Sequence, residues 1–155
     1  MELPLPPKLS KVVDGKIEWQ RLGSIDYKTV GFYLSCHLIV EHYLDEFIKA
    51  HGDGNFNWSE VRLTFSQKIK LLSKHSSFEA YNPIPSLKCF NSLRNKLAHN
   101  LNFVIEPDDL KPLEQFLSDA GIDSDLDTPV KIIDQYMFMV CTFWAGAIHR
   151  AIATE

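Results

Sequence analysis

Apolar residues return every three or four positions along four stretches of this chain. That rhythm is the period of helices that each bury one face against a neighbour. Tyr33, His37, Val40, Leu44, Phe47 and Ile48 form the first stripe, in a helix expected from about Ser24 to His51. Val61, Phe65, Ile69 and Leu72 form the second, and Leu87, Phe90, Leu93 and Leu97 the third. The fourth runs through Val130, Ile133, Met137, Val140, Trp144, Ala147 and Ile148.

Local signals mark the ends of these stretches. Gly52-Asp53-Gly54 stops the first, and Asn57 with Glu60 three residues later predicts a capping box for the second. Pro83 and Pro85 break the chain, and Ser86 is the expected N-cap of the third helix. Asn100 suits a left-handed residue closing it. Pro107 followed by Asp108-Asp109 opens a shorter helix that ends before Gly121, and Thr128-Pro129 opens the last one. The expected fold class is all-α, a four-to-five-helix up-and-down bundle with a short N-terminal arm. Residues 1–23 make the arm, with Asp14-Gly15 as the turn of a β-hairpin over residues 12–19. Residues 24–155 make a single helical domain. A lone hairpin is marginal, so this one is expected to rest on the bundle or on a second subunit.

Several function classes drop away on composition. No segment has the roughly 20 apolar residues of a membrane span, and the start lacks a basic stretch followed by an apolar run. Cys36, Cys89 and Cys141 stand too far apart for a zinc set or a disulfide framework, which fits buried thiols in the cytoplasm. His37, Glu41 and His42 do not have the spacing of the helical zinc motifs, so no metal and no cofactor is expected. The net charge of −4 is unevenly spread. Between residues 61 and 105, Arg62, Lys68, Lys70, Lys74, Lys88, Arg94 and Lys96 face Glu79 alone. A basic segment inside an acidic chain can hold an anion, and Lys70, Lys74, Lys88 and Lys96 are the candidate binding residues.

Within that segment, Arg94-Asn95-Lys96-Leu97-Ala98-His99 puts a permanent cation, an amide and an imidazole at a helix end. Arginine grips phosphate through its planar fork, and histidine moves protons near neutral pH. Residues five apart on one helix point about 140° away from each other. Convergence of Arg94 and His99 therefore needs the helix to unwind before His99, or two copies to meet across a dimer axis. The structural alternative pairs Arg94 with Glu41 or Asp45 on the first helix and gives His99 the terminal carbonyls to cap.

The stretch from Leu93 to Leu101 resembles the Arg-polar-x3-His motif of the HEPN superfamily (higher eukaryotes and prokaryotes nucleotide-binding), and is most similar to its mannitol operon repressor branch. The resemblance implies a helical bundle that usually dimerises. In many members it also implies a metal-independent endoribonuclease of toxin–antitoxin or phage-defence systems. In that case His99 would be the general acid or base, Arg94 would stabilise the phosphorane, and Asn95 would orient one of them. The mannitol repressor branch implies a non-catalytic regulator that binds a nucleotide, RNA or protein. One toxin branch carries Tyr two residues after the His, where this chain has Leu101. The partners implied are a second copy, RNA or a nucleotide, and a neutralising protein such as an antitoxin. Phe138, Thr142 and Phe143 lie off the main stripe of the last helix and are the candidate dimer contacts.

Overall fold

The computed structural model describes residues 4–21, 23, 25–52, 60–74, 78, 81–100, 102–122 and 126–153. Its order is β1 (Pro7–Val13), β2 (Lys16–Arg21), α1 (Tyr27–Ala50), α2 (Phe65–Leu72), α3 (Ile84–His99), a 3-10 turn (Pro107–Leu110), α4 (Lys111–Asp119) and α5 (Pro129–Ala153). The chain is a helical bundle with an N-terminal hairpin, as its periodicity predicts.

Three long helices carry the bundle, and two short ones fill it in. Tyr33 of α1 meets Phe90 of α3, and Phe90 meets Tyr136 of α5. Phe47 of α1 stacks edge-on against Trp144, 4.9 Å away in the later part of α5. Val30 and Val130 line one cavity together with Leu97, from the opposite end of α3. The long helices therefore alternate, with α1 and α5 parallel and α3 running against both. The second helix is not a fourth long leg. It spans 8 residues, and its Phe65 and Lys68 meet His37 and Glu41 in the same direction as α1.

The ends show where local chemistry overrode the expected signals. Asp26 caps α1 by accepting from the Thr29 backbone N–H at 3.1 Å and its hydroxyl at 2.6 Å. Asn57 lies outside the described residues. The capping box of α2 is instead Thr64 with Gln67, whose side chain takes the Thr64 N–H at 2.8 Å. The third helix starts before Ser86, because Pro83 is its cap and Pro85 sits in the first turn, where no donor is needed. Ser86 is buried, donating to the Pro83 carbonyl and accepting from the Tyr136 hydroxyl. Glu106 and Asp109 cap the 3-10 turn reciprocally, and Gly121 closes α4 with φ of 77°. Thr128 caps α5 ahead of Pro129.

The hairpin is longer than residues 12–19, and its turn is as expected. Asp14 and Gly15 take φ of 51° and 73°, the positive pair a type I′ turn requires. Its strands pair antiparallel from Pro7↔Arg21 to Val13↔Lys16, with an irregularity between Leu9 and Lys11.

The core joins Leu44 and Phe47 of α1, Leu87 and Leu93 of α3, Leu113 and Phe116 of α4, and Ile132 and Trp144 of α5. Each such side chain contributes about 1.5–3 kcal/mol by leaving water. Phe143 belongs to this layer, since its ring meets Phe78, Phe116 and Trp144. It does not face outward as a dimer contact. Phe138 is turned outward, with 70% of its surface exposed, and Thr142 is also exposed.

Candidate functional site: the outer face of helix α3

The third helix buries Leu87, Phe90, Leu93 and Leu97, which fixes what its other side shows to water. Lys88, Ser92, Asn95 and His99 follow at i, i+4, i+7 and i+11 and are all exposed. At about 1.5 Å per residue they form a polar stripe roughly 16 Å long. Arg94 lies well over a quarter-turn round the helix from this stripe, on the side of α1, and is exposed, with Nη1 donating to Asn95 Oδ1 at 3.2 Å. Lys96 flanks the other side. The buried Tyr33 hydroxyl donates to the Phe90 carbonyl at 2.6 Å. That carbonyl also closes the helical turn leading to the Arg94 N–H, so a core side chain holds the turn that presents Arg94.

The helix does not unwind before His99. It is regular through that residue, and the Asn100 N–H still reaches the Lys96 carbonyl at 2.9 Å. Asn100 is extended, with φ of −132°, rather than left-handed. Its side chain instead accepts from the Asn102 N–H at 3.1 Å and shapes the exit from the helix. Arg94 and His99 of one chain thus point apart. Among the described residues the His99 imidazole caps no carbonyl.

The carboxylates expected to hold Arg94 are engaged elsewhere. Lys68 of α2, only 4% exposed, reaches Glu41 at 2.9 Å and Asp45 at 2.8 Å. Among the described residues Arg94 meets no carboxylate. Lys96 is also occupied, with Nζ 3.2 Å from Asp109 and 5.0 Å from the Phe103 ring centre. Of the candidate binding lysines, Lys70, Lys74 and Lys88 stay exposed without an ion pair among the described residues, whereas Lys96 ties α3 to the 3-10 turn.

Behind the exposed face lies a histidine that the sequence had placed in the apolar stripe. His37 is 5% exposed, with its ring 4.3 Å from Phe65 and 5.9 Å from Phe90. Burial lowers its pKa below the ordinary value. Glu41 and a polar contact from Asn91 oppose that shift, while Arg94 and Lys68 add to it. The neutral form is the one that fits. Burial also raises the thiols, Cys36 to about 11, so none is poised as a nucleophile.

Two half-open pockets flank the site without containing it. One, about 250 Å³, is walled by Leu97, Phe103, Ile105 and Val130. The other, about 310 Å³, is walled by Asp45, Arg62 and Lys68. Arg94 and His99 line neither. The stripe is an open face that can receive an extended polyanion and does not close around a small substrate. Ser92 and the line Lys88–Ser92–Asn95–His99 were not singled out from the sequence, although their spacing was there to find.

These features define a helical bundle with an open polar face on helix α3, with Lys88 on it and Arg94 beside it, both exposed. Compared with known proteins, the chain matches no family model, no curated protein and no solved structure.

Proposed function

We propose that this chain is a HEPN-like, non-catalytic regulator that binds the phosphates of a nucleotide or single-stranded RNA on the outer face of α3. Arg94 is the principal anchor, Asn95 orients it, and Lys88 and His99 extend the contact along the helix. Lys70 and Lys74 add to the field from the basic segment. One observation carries the reading. The helix stays regular to His99, so Arg94 and His99 of one chain do not converge as an acid–base pair, and Arg94, Lys88 and His99 would instead meet a phosphate chain that wraps round the helix. The mannitol repressor-like form of the motif agrees with a role in transcriptional regulation or defence. The free thiols, Cys36 buried and Cys89 and Cys141 half-buried, fit a cytoplasmic setting, and a homodimer is part of the proposal.

Fluorescence anisotropy with a labelled single-stranded RNA tests the reading. Arg94→Ala is expected to weaken binding about tenfold or more, as loss of a charge-assisted hydrogen bond does. It also lowers the salt dependence by roughly 0.7 in log–log slope. Equal affinity in wild type and variant removes the proposal.

A second reading is favoured by His99 itself, exposed and bonded to nothing among the described residues. It is a metal-independent endoribonuclease in which Arg94 of one copy and His99 of another share a dimer cleft. RNA cleavage in EDTA by wild type, lost in His99→Ala, would establish it. Equal rates, or no cleavage by either, remove it.

A further inference from the structure

The hairpin is amphipathic, and among the described residues nothing covers it. Residues paired directly across an antiparallel ribbon share a face. Leu9 pairs with Trp19, and Val12 with Ile17. Leu9 and Val12 are three apart and would otherwise point to opposite sides. The irregularity after Leu9 brings them to the same side. One face is therefore Leu9, Val12, Ile17 and Trp19, with Pro7 and Arg21 at its open end, while Lys8, Lys11, Lys16, Glu18 and Gln20 lie on the other beside Val13. All are exposed, Trp19 by 64%, and no described hairpin residue packs on a helix of its own chain. A two-stranded ribbon with a bare apolar face is marginal in water.

The same chain has an uncovered groove between α1 and α5. It encloses about 600 Å³ and is lined by Ile39, Tyr43, Phe138, Cys141, Thr142 and Ala145, with Asp134 at its rim. Phe138 stands out of it almost bare. The surface area leaves room for a partner of standard size. A compact monomer of 17.8 kDa exposes about 8,000 Å², whereas this chain exposes 10468 Å². The excess, roughly 2,500 Å², is more than the ~800 Å² each partner buries in a standard interface.

We propose that the hairpin is an exchanged arm, seated by its Leu9–Val12–Ile17–Trp19 face in the α1–α5 groove of a second copy, which returns its own hairpin. A second copy is the fitting occupant because every chain carries one ribbon and one groove, and a two-fold axis covers both pairs at once. Charge agrees, because Arg21 shares the Trp19 face of the ribbon and Asp134 lines the groove. The inference rests on the homodimer proposed above and not on the ligand of α3, so RNA binding and assembly fail independently.

Light scattering of the full chain across micromolar concentrations tests it. Wild type is expected at the mass of two chains. Trp19→Glu on the arm and Phe138→Glu in the groove should each weaken dimerisation at least tenfold with unchanged far-ultraviolet circular dichroism. Mixing the two variants should restore part of the dimer, because each supplies the surface the other lacks. A photo-crosslinking residue at position 19 should label residues 134–145 of a differently isotope-labelled copy. A wild-type monomer, a dimer that survives either substitution, or crosslinks confined to one chain would overturn the proposal.

Discussion

The α1–α2 seam and the outer face of α3 each set a cation among polar side chains, and the two do opposite work. In the seam, Lys68 is almost fully buried and two carboxylates answer its charge. On α3, Arg94 is exposed, and among the described residues its hydrogen-bond partner is the Asn95 amide. A buried charge must be paired locally to be tolerated, whereas an exposed one keeps its bonding capacity for something outside. Because Lys68 has taken Glu41 and Asp45, Arg94 has no carboxylate among the described residues, which leaves it for the ligand proposed above.

Removing the seam cation should break that contrast most forcefully. Lys68→Ala leaves Glu41 and Asp45 facing each other without a cation and empties a buried site. We expect a loss of about 2 kcal/mol, below the 3–5 of a fully buried pair because both carboxylates keep contact with water. Urea unfolding measures it, and a loss under 0.5 kcal/mol would mean the seam is no more structural than the α3 face. Thr64→Ala acts on the same seam indirectly, by removing the cap that starts α2 one turn before Lys68. About 1 kcal/mol should be lost, with RNA affinity unchanged. An unaltered thermal midpoint would contradict the capping box.

His37 sharpens the comparison by pH. Its folded pKa lies below the ordinary 6.5 because burial disfavours the charged ring. The unfolded chain therefore binds the proton more readily than the folded one. Stability from this group is complete above about pH 6.5 and falls as pH drops below it. Urea midpoints at pH 7.5 and 5.5 should differ less in His37→Leu than in wild type, and an equal difference would refute this origin. The smallest stability effects belong to α3. Arg94→Ala, Lys88→Ala and His99→Ala should each shift stability by under about 0.5 kcal/mol. A large destabilisation by any of them would make the face structural.

The sequence made the stripes legible and left their pairing open. Periodicity placed Tyr33, Val40, Leu44 and Trp144 in the core, and Asp14-Gly15 announced its turn, because both depend on neighbours a few residues away. Which cation would meet Glu41 and Asp45 was not legible, since Arg94 and Lys68 were both basic residues at plausible reach. The choice depends on how α2 lies against α1, and two capping signals competed to start that helix. The end of α3 was misread for a similar reason. Asn100 has a strong left-handed preference in general, but its side chain found the Asn102 N–H instead. The stripe Lys88–Ser92–Asn95–His99 was readable throughout, since Lys88, Asn95 and His99 each stood out as polar candidates and only their common face, with Ser92, was left unjoined.

The hydrogen bond from Tyr33 to the Phe90 carbonyl has a bearing on the cost of recognition. Many phosphate-binding segments are unstructured until the ligand arrives, and part of the interaction is spent on ordering them. Here the backbone beneath Arg94 is already fixed from inside the bundle. Little chain entropy is left to lose beyond the rotamers of the exposed side chains. Complex formation should proceed with almost no gain in helicity, as rigid-body docking does.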